Sequence, residues 1–113
     1  MSSKSYGKVG FASMRRSGFH MTFENGLTAS VQWGYGTYSD NHFKFPAPGR
    51  NLWEDDAESS TAEVAVIGHD GELMNIKPFM PLGYDGEDSV AGYLNSYEVL
   101  MFMNRVQEWE EGK

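Results

Sequence analysis

Residues able to do chemistry are few and scattered. The histidines are His20, His42 and His69, with no HExxH motif and no close pair. Asp40 and His42 could face one ion from an extended loop, but two ligands are not a site. Cysteine is absent, which excludes thiolate nucleophiles, thiolate metal centres and disulfides together. No serine occupies a GxSxG elbow. Carboxylates cluster in Glu54-Asp55-Asp56 and again in Asp85-Gly86-Glu87-Asp88. An acid–base pair needs contrasting environments that push its pKa values apart, whereas adjacent acids on a loop are solvated alike. The second cluster also lacks the spaced ligands of a calcium loop. The expectation is a chain with no catalytic residue, no metal and no cofactor.

Binding chemistry is better represented. After Val31-Gln32-Trp33 the chain reads Gly34-Tyr35-Gly36-Thr37-Tyr38-Ser39-Asp40-Asn41-His42-Phe43. Gly34-x-Gly36 behind a strand suggests a phosphate loop. No third glycine or Gly-Lys-Ser/Thr follows, however, and no helical pattern begins there. What remains is a set of aromatic faces, Trp33, Tyr35, Tyr38 and Phe43, beside Asp40 and Asn41. Arg15 and Arg16 add groups for charge-assisted contacts. Rigid aromatics among adaptable polar residues have the composition of a paratope. These residues form the candidate ligand- or partner-binding set. The competing expectation is that Trp33 and one tyrosine cap a sheet's core while the glycines let the chain turn.

The elements that would hold this loop are legible from periodicity. Phe19, Met21 and Phe23 alternate with polar residues, as do Leu27, Ala29, Val31 and Trp33, so both runs read as half-buried strands. A two-residue Asn25-Gly26 turn would mix apolar and polar side chains on each face. A three-residue loop, Glu24-Asn25-Gly26, sets Phe23 opposite Leu27, Met21 opposite Ala29 and Phe19 opposite Val31. Every apolar residue then shares one face, with Gly26 at the left-handed position. Lys8 to Met14 reads as a preceding strand, and Ala62 to Gly68, apolar on both faces, as a central one. His69 to Glu72 is a turn, Leu73 to Ile76 a returning strand stopped by Pro78 and Pro81, and Ser89 to Leu94 a short strand.

Asn95-Ser96-Tyr97-Glu98 carries the spacing of a capping box, opening a C-terminal helix. Val99, Phe102, Met103 and Val106 form its core stripe, widened by Tyr97, Leu100 and Trp109, with Met101 at the border. Glu108, Glu110 and Glu111 crowd the negative end of the helix dipole, so the last turn is expected to fray. Gly34 to Thr61 and Lys77 to Asp88 carry little periodicity. The predicted fold is α+β: a single domain over residues 1–113, with a small antiparallel sheet of four to six strands packed on one helix.

Composition bounds the partners. With 113 residues, 40% of them hydrophobic, the chain can build one real core. No apolar run approaches a membrane span and no apolar leader follows Met1, so a cytoplasmic protein without membrane contact is expected. The net charge of −7 is uneven. Residues 1–50 hold six cations against two acids, leaving +4, and residues 51–113 hold three against fourteen, leaving −11. Direct nucleic-acid binding is disfavoured by that balance. Mimicry of nucleic acid by Glu54, Asp55, Asp56, Glu58, Asp85, Glu87 and Asp88 is a rival reading. A structural or homo-oligomeric role is another, since a small sheet with an exposed edge can pair with a second copy.

Met21-Thr22-Phe23-Glu24-Asn25-Gly26, Val31-Gln32-Trp33-Gly34-Tyr35-Gly36 and Asp40-Asn41 together resemble short accessory proteins of tailed bacteriophages. Those read roughly TFxNGxTVSVQWGxGNYxxN, then an AEVAI-type strand, an aspartate–glycine turn and a capped helix. The similarity covers residues 19–41 and 62–106. Thr37 stands where asparagine is usual, and Ser39 where cysteine is. The resemblance carries no activity and implies a setting: a small binding protein engaging a host protein or small ligand, with interference in host defence a natural role.

Overall fold

A computed structural model of the chain describes residues 7–13, 18–34, 37–40, 58–86 and 88–110. Five strands form one antiparallel sheet in chain order: β1 (Gly10–Ser13), β2 (Gly18–Thr22), β3 (Thr28–Gln32), β4 (Ala62–Ile67) and β5 (Val90–Leu94). A single-turn 3₁₀ helix, Lys77–Phe79, precedes β5, and α1 (Ser96–Glu108) lies against one sheet face. The fold class and the capped helix agree with the expectation from sequence.

The β2–β3 hairpin has the register selected by its apolar pattern, with Met21 opposite Ala29 and Phe19 opposite Val31. Phe23 donates its N–H to the Leu27 carbonyl at 2.9 Å, which leaves Glu24-Asn25-Gly26 as the loop. Gly26 has φ of 88°, in the left-handed region, and a β-carbon there would also strike the His69 ring.

Burial sorts the two faces of the sheet. On the helix side Ala29, Val31, Val64, Val66 and Ala91 meet Phe79, Phe102 and Val106 in one core. Phe79 and Trp109 stack at a ring separation of 4.9 Å, inclined by 50°. The opposite face is largely buried and mixed, with His20, Thr22, Thr28 and Ser30 beside Ala65 and Ile67. Thr22 and Thr28, directly paired across β2 and β3, share a hydroxyl hydrogen bond of 2.7 Å. Burial holds the His20 imidazole below its ordinary pKa.

Two expectations are corrected. Leu73 to Ile76 is not a strand: only Leu73 bridges to Ile67. Asn75 Oδ1 accepts the Lys77 N–H at 2.8 Å and Ile76 is drawn fully into the core, so the chain turns into the 3₁₀ helix. Local side-chain bonding by asparagine competes with a ladder in this way. The end of α1 receives a cap from elsewhere in the fold. Asn25 Nδ2 reaches the carbonyls of Val106, Gln107 and Trp109 at 2.8, 3.3 and 3.1 Å, satisfying groups that a helix end leaves orphaned. Finally, Tyr97 and Leu100 do not widen the core stripe. They are 69% and 60% exposed, because the narrow sheet covers only the face bearing Phe102 and Val106.

Candidate functional site

The N-terminus of α1 is fixed by its capping box: Asn95 Oδ1 accepts from the Glu98 N–H, and Glu98 Oε1 from the Asn95 N–H, both at 2.9 Å. From that start, Tyr97, Met101 and Arg105 recur every fourth residue and share one side of the helix. Opposite them a turn closes where Tyr84 donates its N–H to the Pro81 carbonyl at 3.1 Å, leaving Leu82 wholly exposed. Strand β5 forms the floor. Between helix, turn and strand lies a groove of about 760 Å³, a size suited to a small ligand.

The floor is irregular. Ala62 pairs with Leu94 and Val64 with Ala91, so Glu63 alone faces both Gly92 and Tyr93. This is a β-bulge, and Tyr93 takes φ of 61°, a left-handed conformation that an aromatic residue rarely adopts. The bulge lets Gly92 and Tyr93 both line the groove instead of leaving the strand alternation to turn one of them away. Such strain persists only where surrounding contacts over-determine it, and it concentrates at functional positions.

Those contacts come from the segment after β3. Tyr38 accepts the Tyr93 N–H at its carbonyl, 2.8 Å away, and donates its own N–H to the Glu63 carboxylate. Its backbone thereby holds both strands at the bulge. Tyr38 also presses so closely on Gly92 that a β-carbon there would overlap it. Burial pushes the Glu63 carboxyl above its usual range, against the opposing hydrogen bond from Tyr38.

Among the described residues after β3, Gly34, Thr37 and Ser39 are bonded to one another. Thr37 donates from its hydroxyl to the Gly34 carbonyl at 2.7 Å, and Ser39, fully buried, accepts the Gly34 N–H at 3.1 Å. Thr37 and Ser39, the departures from the phage pattern, thus close the turn together. Of the candidate binding residues, Trp33 is partly buried against the core. Tyr38 is 57% exposed. Asp40 takes the Ser60 hydroxyl at its carboxylate and gives its N–H to Thr61 Oγ1 at 2.9 Å. Arg15, Arg16, Tyr35, Asn41 and Phe43 lie outside the described residues, as do Glu54, Asp55, Asp56 and Glu87.

Two buried side-chain donors lack a partner among the described residues: Arg105 Nη1 and Trp33 Nε1. Arg105 lines the groove. Trp33 lines a smaller cavity of about 420 Å³ on the other side of Leu94, beside Ser59, Thr61 and Val99. A further hollow near His69 and Trp109 is walled by Asn25 and Asp70. Those two are engaged in the fold, Asn25 with α1 and Asp70 with the Glu72 N–H. No three His, Asp or Glu residues converge among the described residues. No helix among them is long and apolar enough to cross a membrane.

Tyr84, Tyr93, Tyr97, Met101 and Arg105 were absent from the candidate set read from sequence. The four-residue recurrence of Tyr97, Met101 and Arg105 is visible there, as is Arg105 standing alone between Lys77 and Lys113. The bulge that brings Tyr93 to them is not. The chain matches no protein-family model, no curated protein and no solved structure.

Proposed function

We propose that the protein is a non-catalytic binding protein whose working surface is the groove between α1, β5 and the Pro81–Tyr84 turn. The observation that carries this reading is Arg105, which lines the groove and whose buried Nη1 has no acceptor among the described residues. A buried donor without a partner costs stability, and the cost is recovered when a ligand supplies the acceptor. Three tyrosines and two methionines around it offer contact area and adaptable packing. Tyr38 acts as a brace, setting Tyr93 through its backbone carbonyl. The phage-type setting implied by sequence makes the occupant a host small molecule or a protruding segment of a host protein, met in the cytoplasm.

The test is a fragment screen of the intact chain by amide chemical-shift mapping, using small aromatic and aliphatic compounds. Shifts centred on Tyr84, Tyr93, Tyr97 and Arg105, abolished by combining Tyr97→Ala with Met101→Ala, are the expected result. Shifts centred on Trp33 and Ser59 to Thr61, untouched by that double substitution, would assign binding to the neighbouring cavity instead.

A further inference from the structure

The polar groups of the groove define the charge of its ligand. Glu98 and Asn95 also line it, but the capping box occupies Glu98 Oε1 and Asn95 Oδ1. The groove thus holds one anion, Glu98, already committed to the helix cap, and one cation, Arg105, whose Nη1 has no hydrogen-bond partner among the described residues. A neutral ligand without an acceptor would leave that buried donor unpaired, and a cationic one would add repulsion.

The amount of charge is bounded too. The chain carries a net charge of −7, which opposes the approach of multiply charged anions such as nucleotides. One arginine matches one carboxylate, whose planar oxygens fit the guanidinium fork. The remaining walls are Leu82, Met80, Met101 and the rings of Tyr84, Tyr93 and Tyr97, which suit an apolar or aromatic body.

We infer that the groove recognises a monocarboxylate on an aromatic or apolar body, with the carboxylate held by Arg105 and the body between Tyr93, Tyr97 and Met101. The inference rests on the groove being the binding surface. Its carboxylate belongs either to a free small acid or to the C-terminus of a polypeptide ending in an aromatic residue.

The intact protein is titrated with 3-phenylpropionate, its neutral amide and phenethylamine, followed by chemical-shift mapping and calorimetry. The acid should bind tenfold or more tightly than the amide, the margin of a charge-assisted over a neutral hydrogen bond. Arg105→Gln should erase that margin while leaving the amide's affinity, and Arg105→Lys should keep part of it. A circular-dichroism spectrum unchanged by either substitution establishes that the fold is retained, and the ionic-strength dependence of the wild-type acid titration gives a readout free of mutation. Equal binding of acid and amide overturns the inference and leaves the groove as a binding surface. Failure of all three compounds to shift groove residues overturns both. An acetylated tripeptide ending in phenylalanine, with free or amidated C-terminus, then identifies the source. Tighter binding of the free-ended peptide than of phenylpropionate assigns the carboxylate to a polypeptide end, and the reverse order assigns it to a small acid.

Discussion

Asn25 Nδ2 donates to the Val106 carbonyl at 2.8 Å, joining the turn of the first described hairpin to the end of a helix 81 residues later. The same side chain accepts the Leu27 N–H at Oδ1, 3.1 Å away, so one amide shapes its own turn and caps α1. Asn25→Ala removes both roles and leaves helix carbonyls to compete for water. The expected loss is about 1–3 kcal/mol, read from the urea midpoint. Amide exchange should accelerate at the end of α1 and not at Glu98. Uniform acceleration along the helix would show that the cap is not local.

The close approach of Tyr38 to Gly92 makes a second case. Gly92→Ala should cost about 1–3 kcal/mol by overpacking, because the new methyl group must displace a backbone that holds two strands. Melting temperature measures the loss. An unchanged melting temperature would mean that Tyr38 does not rest on β5 in solution.

Two titratable groups give stability opposite slopes with pH. Glu63 has its folded pKa raised above the reference value of 4.5, so folding favours its protonated form. Its contribution is greatest below 4.5 and declines as pH rises through that value to the folded pKa. Glu63→Gln should therefore melt higher than wild type at pH 7, with the gap closing by pH 4. His20 has its folded pKa lowered below 6.5, so its contribution is complete above 6.5 and is lost as pH falls from there to the folded pKa. His20→Gln should flatten wild-type stability across that interval. Parallel curves for variant and wild type would refute either assignment.

The orientation of α1 is tested by contrast. Phe102→Ala, at 1% exposure, should cost about 3–5 kcal/mol through the cavity it leaves. Tyr97→Ala and Leu100→Ala, outside the core, should each stay within about 0.5 kcal/mol of wild type. Chemical denaturation of the three variants decides it, and a large loss at Leu100 would rotate the helix.

How much of this was readable from residues alone follows from the range of the interactions. The β2–β3 register was legible because two apolar runs near each other in sequence admit only one loop length that keeps one face dry. The capping box was legible because Asn95 and Glu98 act within one turn. The Asn25 cap was not, since a turn residue carries no mark of the helix it will meet. Nor was the exposure of Tyr97 and Leu100: periodicity describes a stripe on the helix but not the width of the sheet that covers it. For the candidate site, the Trp33–Phe43 stretch stood out through its aromatics and glycines. The described part of it instead supports its neighbour, because Tyr38 contributes backbone groups to β5. Backbone groups leave no trace in residue type.

The extra residue at Gly92–Tyr93 has an evolutionary reading. A chain shortened by one residue there could restore an uninterrupted ladder between β4 and β5 with Val64, Ala91 and Leu94 still in the core. Tyr93 would then lose its aim into the groove. Insertions and deletions at this one point would leave packing nearly untouched while altering what the groove accepts. For the proposed binding function, the length of β5 is thus a control on the groove's shape that is separate from its side chains.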